Sequence, residues 1–282
     1  MTFIRPQIVG IVNITTDSFS DGGRYVEPHA AIEHGKKLRA DGADIIELGA
    51  ASSNPHSAYV SPDVEIERLS PVLSSLQKLG APVSIDTTKL EVQRFALSHK
   101  VQFLNDIRGF PDESLYQELA SSEAKLVVMH FISDLDKAVR VPKTPQEVFN
   151  SIITFFDVRL RGLTAAGIPE SRIIIDPGMG FFLASNPEPS LAVLAHIAKL
   201  KKMYGLSIMI SVSRKSFLKN LATPENCDIE SRTLAAELFA SLQDVDYIRT
   251  HDVRALHQGL LTLIAIDRIG SIEKFPRRYS IL

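Results

Sequence analysis

Eight short apolar runs of this 282-residue chain each end on side chains that can ionise, hydrogen-bond or bind a metal. The ends are Asn13; Glu47, two before Gly49; Asp86; Asn105 with Asp106; His130; Asp176; Ser213 with Arg214, Lys215 and Ser216; and Arg249 with His251. Any one of them has an ordinary explanation, since Asp and Asn cap helices and open turns. Eight together, alternating carboxylate, amide and cation, suit a site for a polar heterocycle plus an anion better than capping alone.

The anion would belong to the last two ends. In "SVSRKS", Ser213 to Ser216 stand where an apolar run gives way to a helical pattern, a place where backbone N–H groups and cationic side chains can hold phosphate. The glycine spacing of a P-loop is absent. Arg249 and His251 are two apart, so on a strand they point to the same side, and an arginine fork beside an imidazole suits a diphosphate. A histidine so placed can equally be a packed core imidazole. Of the acids, Asp86 and Asp176 each close an apolar run, and an ionised carboxylate accepts a paired N–H edge. Asn105 offers both donor and acceptor, so these three could read a guanidine-like heterocycle edge while Lys215 donates to a ring carbonyl. The same two acids would also serve a glycosidase as acid and nucleophile.

The elements that must carry these ends are legible as an alternation. Apolar runs at 7–13, 43–49, 82–87, 101–106, 125–130, 172–178, 206–213 and 245–251 alternate with turns and with helical patterns, the clearest over 30–39, 63–79, 145–166, 188–203, 230–242 and 253–269. Eight strands separated by helices need a parallel sheet covered on its faces, and eight such units close a (β/α)8 TIM barrel, an α/β fold. In that architecture the carboxyl ends of the strands form the active site. An open doubly wound sheet is the alternative, but no G-x-G-x-x-G turn follows the first run. The reading is one domain over 1–269, with 270–282 a loose basic tail.

Composition narrows the partners. The chain is 45% hydrophobic and 23% charged, with 31 Lys plus Arg against 33 Asp plus Glu, so it has no basic field of the kind that draws nucleic acid. Cys227 stands alone and cannot form an internal disulfide, and the start lacks a signal-peptide pattern, so a reducing cytoplasmic setting is expected. No apolar run approaches the roughly 18 residues that suggest a membrane span.

Seven strings, "IVNITTDSFSDGG", "DGADIIELGAASSNP", "VSIDTTKLEV", "FLNDIRGF", "IIIDPGMGF", "SVSRKSFL" and "YIRTHDV", run in the order found in dihydropteroate synthases, and the chain resembles that family from near residue 7 to near 269. The resemblance implies a TIM barrel of folate biosynthesis, usually a homodimer. Its members condense 6-hydroxymethyl-7,8-dihydropterin diphosphate with p-aminobenzoate, giving 7,8-dihydropteroate and diphosphate with the help of Mg²⁺ (magnesium). Carried over by residue, it implies that Asp86, Asn105, Asp176 and Lys215 hold the pterin. Asn13 would contact the Mg²⁺ and, with Arg249 and His251, the diphosphate. Asp86, Lys215, Arg249 and His251 would be the catalytic set. The loop after Asn13 would close over bound substrate through Asp17, Ser18 and Phe19, and these with Ser53, Phe182, Arg214 and Ser216 would face p-aminobenzoate.

Two departures stand out. Where the family commonly has Gly-Gly-Glu-Ser-Thr-Arg-Pro this chain has "GAASSNP", placing Ala51, Ser53 and Asn54 where the acid, threonine and arginine would be. Beyond Asp176, "GFFLASNP" replaces the frequent Gly-Phe-Gly-Lys. Both strings resemble the sulfonamide-insensitive branch, implying sulfonamide resistance; paired Phe181 and Phe182 are also common as core filler. Three other readings compete. A pterin-binding methyltransferase acting on a corrinoid has no need of Arg249 and His251 as a clamp. A non-catalytic pterin-binding barrel could dispense with Asn13 and its loop. A Schiff-base aldolase is disfavoured because Lys215 follows its strand instead of lying within it.

Overall fold

Runs rich in Ile and Val become the strands, as β-branched side chains favour a pleated, covered surface. The structure is a computed structural model that describes residues 3–15, 27–52, 58–132, 141–221 and 228–270. Its strands are β1 (Gln7–Asn13), β2 (Ile45–Gly49), β3 (Val83–Asp86), β4 (Phe103–Asp106), β5 (Lys125–Met129), β6 (Ile173–Asp176), β7 (Ser207–Ile210) and β8 (Tyr247–Thr250). All pair in parallel, in chain order, and β8 returns to β1 to close the barrel. The TIM-barrel expectation holds.

Around it lie α1 (Pro28–Ala40), α2 (Pro62–Lys78), α3 (Leu90–Ser98), α4 (Tyr116–Ser121), α5 (Pro145–Ala165), α6 (Glu188–Ala195), α7 (Ile197–Tyr204), α8 (Ser216–Lys219), α9 (Ile229–Ser241) and α10 (Val253–Ile269). Their starts are chemically marked. Thr144 and Glu147 cap α5 reciprocally ahead of Pro145, and Asp228 and Asp252 cap α9 and α10. The single helix expected over 188–203 is two, because at His196 the chain leaves helical geometry and the imidazole Nδ1 lies 2.7 Å from the carbonyl of Ala192. Among the described residues no helix is long and apolar enough to cross a membrane.

Period-two alternation divides the buried side chains into two sets. Outward residues such as Ile8, Val12, Ile46, Leu48, Ile85 and Ile248 join helix residues such as Leu69, Leu73, Phe156 and Leu256 in the large core between sheet and helices. Inward, Val9, Ile45, Phe103, Val127, Ile174, Met209 and Tyr247 form a separate apolar plug. Two residues further along the same seven strands stand Ile11, Glu47, Asn105, Met129, Asp176, Ser211 and Arg249. The plug therefore becomes the floor beneath a polar layer, to which β3 adds Ser84, in register with Glu47, and then Asp86.

Candidate active site

Glu47 is the fully buried hub of that layer. One carboxylate oxygen pairs with Arg249 Nε. The other accepts from Ser84 Oγ at 2.9 Å and from Asn105 Nδ2 at 3.2 Å. Arg249 then spans to β3, where its Nη2 lies 3.1 Å from Asp86 Oδ2. Burial works against the guanidinium, but Glu47 and Asp86 together hold its pKa above the ordinary value. Asn105 donates its amide to Glu47, while among the described residues its buried carbonyl Oδ1 accepts no hydrogen bond. A buried acceptor in that condition is costly unless a ligand N–H meets it.

Asp176 stands beside this network with one oxygen 2.8 Å from the backbone N–H of Gly178, which adopts a left-handed φ of 76°. Burial pushes its pKa up, to about 6, opposed by that N–H and by the positive charge of Lys215. Burial likewise raises Asp86, with the charge of Glu47 adding to the effect and Arg249 opposing it. Lys215 is shifted the other way, to about 8, first by burial and then by repulsion from Arg249, while Asp176 and Asp86 pull it back. Asp86 and Asp176 end β3 and β6, Arg249 lies near the end of β8 and Lys215 follows β7, so the four stand at the same, carboxyl-end mouth of the barrel. The ammonium of Lys215 lies 4.5 Å from the centroid of the Phe182 ring, a cation–π contact, and Phe182 meets Phe131 edge to face. Phe182 is thus half-buried beside Lys215 and Phe131 and not filler in the core.

His251 faces Ser213, whose Oγ lies 2.8 Å from its Nδ1 and accepts its backbone N–H at 3.1 Å. Burial first, and then the cations Arg249, Arg214 and Lys215, hold this imidazole well below its usual pKa, so it is neutral. Asn13 ends β1 with its amide oxygen toward Gly49, whose missing side chain leaves space beside it and beside Asp86. Ser216 opens α8 next to Gly180.

Some expectations change. Two backbone N–H groups at the β7 end are already engaged: Arg214 N–H goes to Thr233 Oγ1 at 3.1 Å and Lys215 N–H to the carbonyl of Val212 at 3.1 Å. The Arg214 guanidinium pairs with Glu230 at 2.9 Å, yet lies within electrostatic reach of His251. Asp106 and His130 leave the site, since alternation turns both outward. Asp106 accepts from Arg108 N, Phe110 N and Gln93 Nε2, shaping the turn after β4. His130 is wedged between the Pro177 carbonyl and Ser151 on α5, and burial lowers its pKa to about 4. Asp17, Ser18, Phe19 and Ser53 lie outside the described residues. Glu47, which stood among the strand ends without a role, proves to be the central positioning group.

The chain matches the model of the pterin binding enzyme family over residues 9–251. It is 51% identical over 266 residues to dihydropteroate synthase type-2 of Escherichia coli, covering 94% of this chain and 98% of that one. The structure of a dihydropteroate synthase from Coxiella burnetii in complex with pteroic acid superposes with a TM-score of 0.82 at 27% identity over 95% of each chain. That of the Xanthomonas albilineans enzyme with 4-aminobenzoic acid gives 0.82 at 31% identity, again over 95% of both. With its barrel, its polar layer and these relatives together, the chain belongs to the pterin binding enzyme family, among the dihydropteroate synthases.

Proposed function

We propose that the chain condenses 6-hydroxymethyl-7,8-dihydropterin diphosphate with p-aminobenzoate to give 7,8-dihydropteroate and diphosphate, and that Asp86, Asn105, Asp176 and Lys215 hold the pterin. The observation that carries this reading is the buried Asn105 carbonyl, without a donor among the described residues and set in one layer with Asp86 and Asp176. Three acceptors at one depth suit the N–H-rich amino-pyrimidine edge of a pterin, and Lys215 suits its ring carbonyl. A glycosidase reading loses ground, because Arg249 already neutralises Asp86 and a sugar offers no paired N–H edge to fill the layer.

The reaction is a substitution at the methylene carbon. The carbon–oxygen bond breaks with its electrons passing to the diphosphate, the p-aminobenzoate nitrogen supplies the pair for the new carbon–nitrogen bond, and its proton is released to solvent. An arylamine is nucleophilic unaided, so no general base is assigned. Arg249 and His251 stabilise charge growing on the leaving group, while Asp86 and Asp176 favour positive charge on the ring. If Ser213 donates to Nδ1 of His251, the ring proton sits on Nε2, where it can donate to a phosphate oxygen. Mg²⁺ fits as an ion that arrives with the substrate: Asn13 offers one amide oxygen, no cluster of three His, Cys, Asp or Glu exists among the described residues, and magnesium commonly takes most of its ligands from phosphate and water. When bound there it would neutralise charge on the diphosphate. The homodimer and the cytoplasmic setting rest on the family resemblance and the composition.

Diphosphate release, followed with a coupled pyrophosphatase assay, is expected only with both substrates and Mg²⁺ present; a folded protein that leaves both substrates unchanged rejects the reading. Sulfonamide insensitivity rests on "GAASSNP" and "GMGFFL" and on Phe182 lying against Lys215. Expressed in a synthase-deficient strain, the gene is expected to sustain growth in sulfonamide concentrations that stop a sensitive control, and growth arrest alongside that control rejects it.

A further inference from the structure

His130 is 1% exposed and takes no part in the substitution, yet it grips the turn that carries Asp176. Its backbone N–H donates to the Asp176 carbonyl at 2.8 Å. Its ring Nδ1 lies 3.1 Å from the carbonyl oxygen of Pro177. A carbonyl only accepts, so Nδ1 bears the proton. Burial lowers the ring pKa to about 4, so the imidazole is neutral at pH 7, and Nε2 accepts from Ser151 Oγ on α5 at 3.0 Å. The ring is fixed at both nitrogens, and Phe155 meets it edge to face with 5.4 Å between centroids.

The Pro177 carbonyl and the Gly178 N–H belong to one planar trans peptide group. They point in opposite directions, the carbonyl to His130 and the N–H, at 2.8 Å, to Asp176 Oδ1. His130 therefore holds the far side of the amide that supports the carboxylate. Donation runs one way, from Ser151 to His130, through the peptide and on to Asp176, and hydrogen bonds chained in this manner polarise one another. The packing is close: a Cβ on Gly178 would lie 2.6 Å from the His130 carbonyl oxygen.

We propose that His130 is a positioning residue which, braced by Ser151, orients the Pro177–Gly178 peptide so that its N–H is aimed at the Asp176 carboxylate. This rests on the reading of Asp176 as a pterin contact. A hydrophobic residue would fill the same space, but would leave the buried Pro177 carbonyl without this donor and the peptide without a hold on that side. Because the Gly178 N–H opposes the rise that burial imposes on the Asp176 pKa, a slackened peptide lets that pKa climb.

The test is calorimetric titration of the full chain with 6-hydroxymethylpterin over a pH series. His130→Leu is expected to weaken binding about fivefold at pH 7.5, the scale of one hydrogen bond. It is also expected to move the acid limb of affinity, near 6 in the wild type, up by about half a pH unit. Lys215, Arg249 and Glu47, which also face Asp176, are unchanged in every variant. His130→Asn sets an amide N–H where Nδ1 stood and is expected to recover most of the affinity and return the limb. Ser151→Ala is expected to cost about twofold and carries the test if His130→Leu does not fold. A histidine that only fills space would change the melting temperature and leave the acid limb in place. Unchanged affinity with an unmoved limb in the folded variants, or no recovery with asparagine, would overturn the proposal. Asp176→Ala is measured alongside: if it alone loses pterin affinity, only the role of His130 falls, and if it too keeps wild-type affinity, the reading of Asp176 falls and takes the proposal with it.

Discussion

Asp176→Ala is expected to lower kcat/KM for the pterin diphosphate by about a thousandfold, the scale of two charge-assisted hydrogen bonds lost from a buried site. It is expected to do so without lowering the melting temperature. The two halves have one cause. Burial raises the Asp176 pKa from its ordinary 3.8 to about 6, so between these values the folded chain holds a proton that the unfolded chain has lost. Stability contributed by this group is therefore present in acid and lost as pH rises through about 6. At neutral pH the ionised carboxylate opposes folding while serving the ligand, and alanine removes both effects. The same titration predicts that pterin affinity in the wild type falls as pH drops below about 6. Steady-state kinetics and thermal melts at pH 7.5 check the substitution; a variant with near wild-type kcat/KM would remove Asp176 from the recognition of substrate.

Glu47→Gln is expected to act in the opposite direction on stability. Loss of its charge leaves Arg249 buried with Asp86 as its remaining ion-pair partner among the described residues, and breaking a buried pair from one side costs about 3 kcal/mol or more. Activity falls as well, since Arg249, Asn105 and Ser84 all take their places from this carboxylate. Because the charge of Glu47 helps to raise Asp86, the acid limb of the kcat/KM profile should move to lower pH in the variant. Urea unfolding and a pH series measure both. A variant as stable as the wild type, with an unmoved acid limb, would show that Glu47 does not organise the layer.

Barrel and strand-end chemistry were legible because both follow from local pattern: β-branched runs make the strands, and the residue that ends a run comes to the mouth. The next step, which end faces inward, depends on the same period of two and separates Asn105 from Asp106 and Asp176 from His130, but only once the plug residues fix the phase. Glu47 carried no local sign of its role. Its partners Ser84, Asn105 and Arg249 lie 37, 58 and 202 positions away. Part of the backbone at "SVSRKS" is committed for a related reason, since Thr233, distant in sequence, takes the Arg214 N–H. His196 shows the reverse, a helix break invisible to hydrophobic periodicity because it lies in one side chain's contact with its own helix.

The most direct measurement is a crystal structure with 6-hydroxymethylpterin diphosphate bound. The amino-pyrimidine edge should lie within hydrogen-bond distance of Asp176 and bring an N–H to Asn105 Oδ1, with the diphosphate against Arg249 and His251. A pterin bound away from the Asp86, Asn105 and Asp176 layer, or turned so that its diphosphate meets those acids, would contradict it.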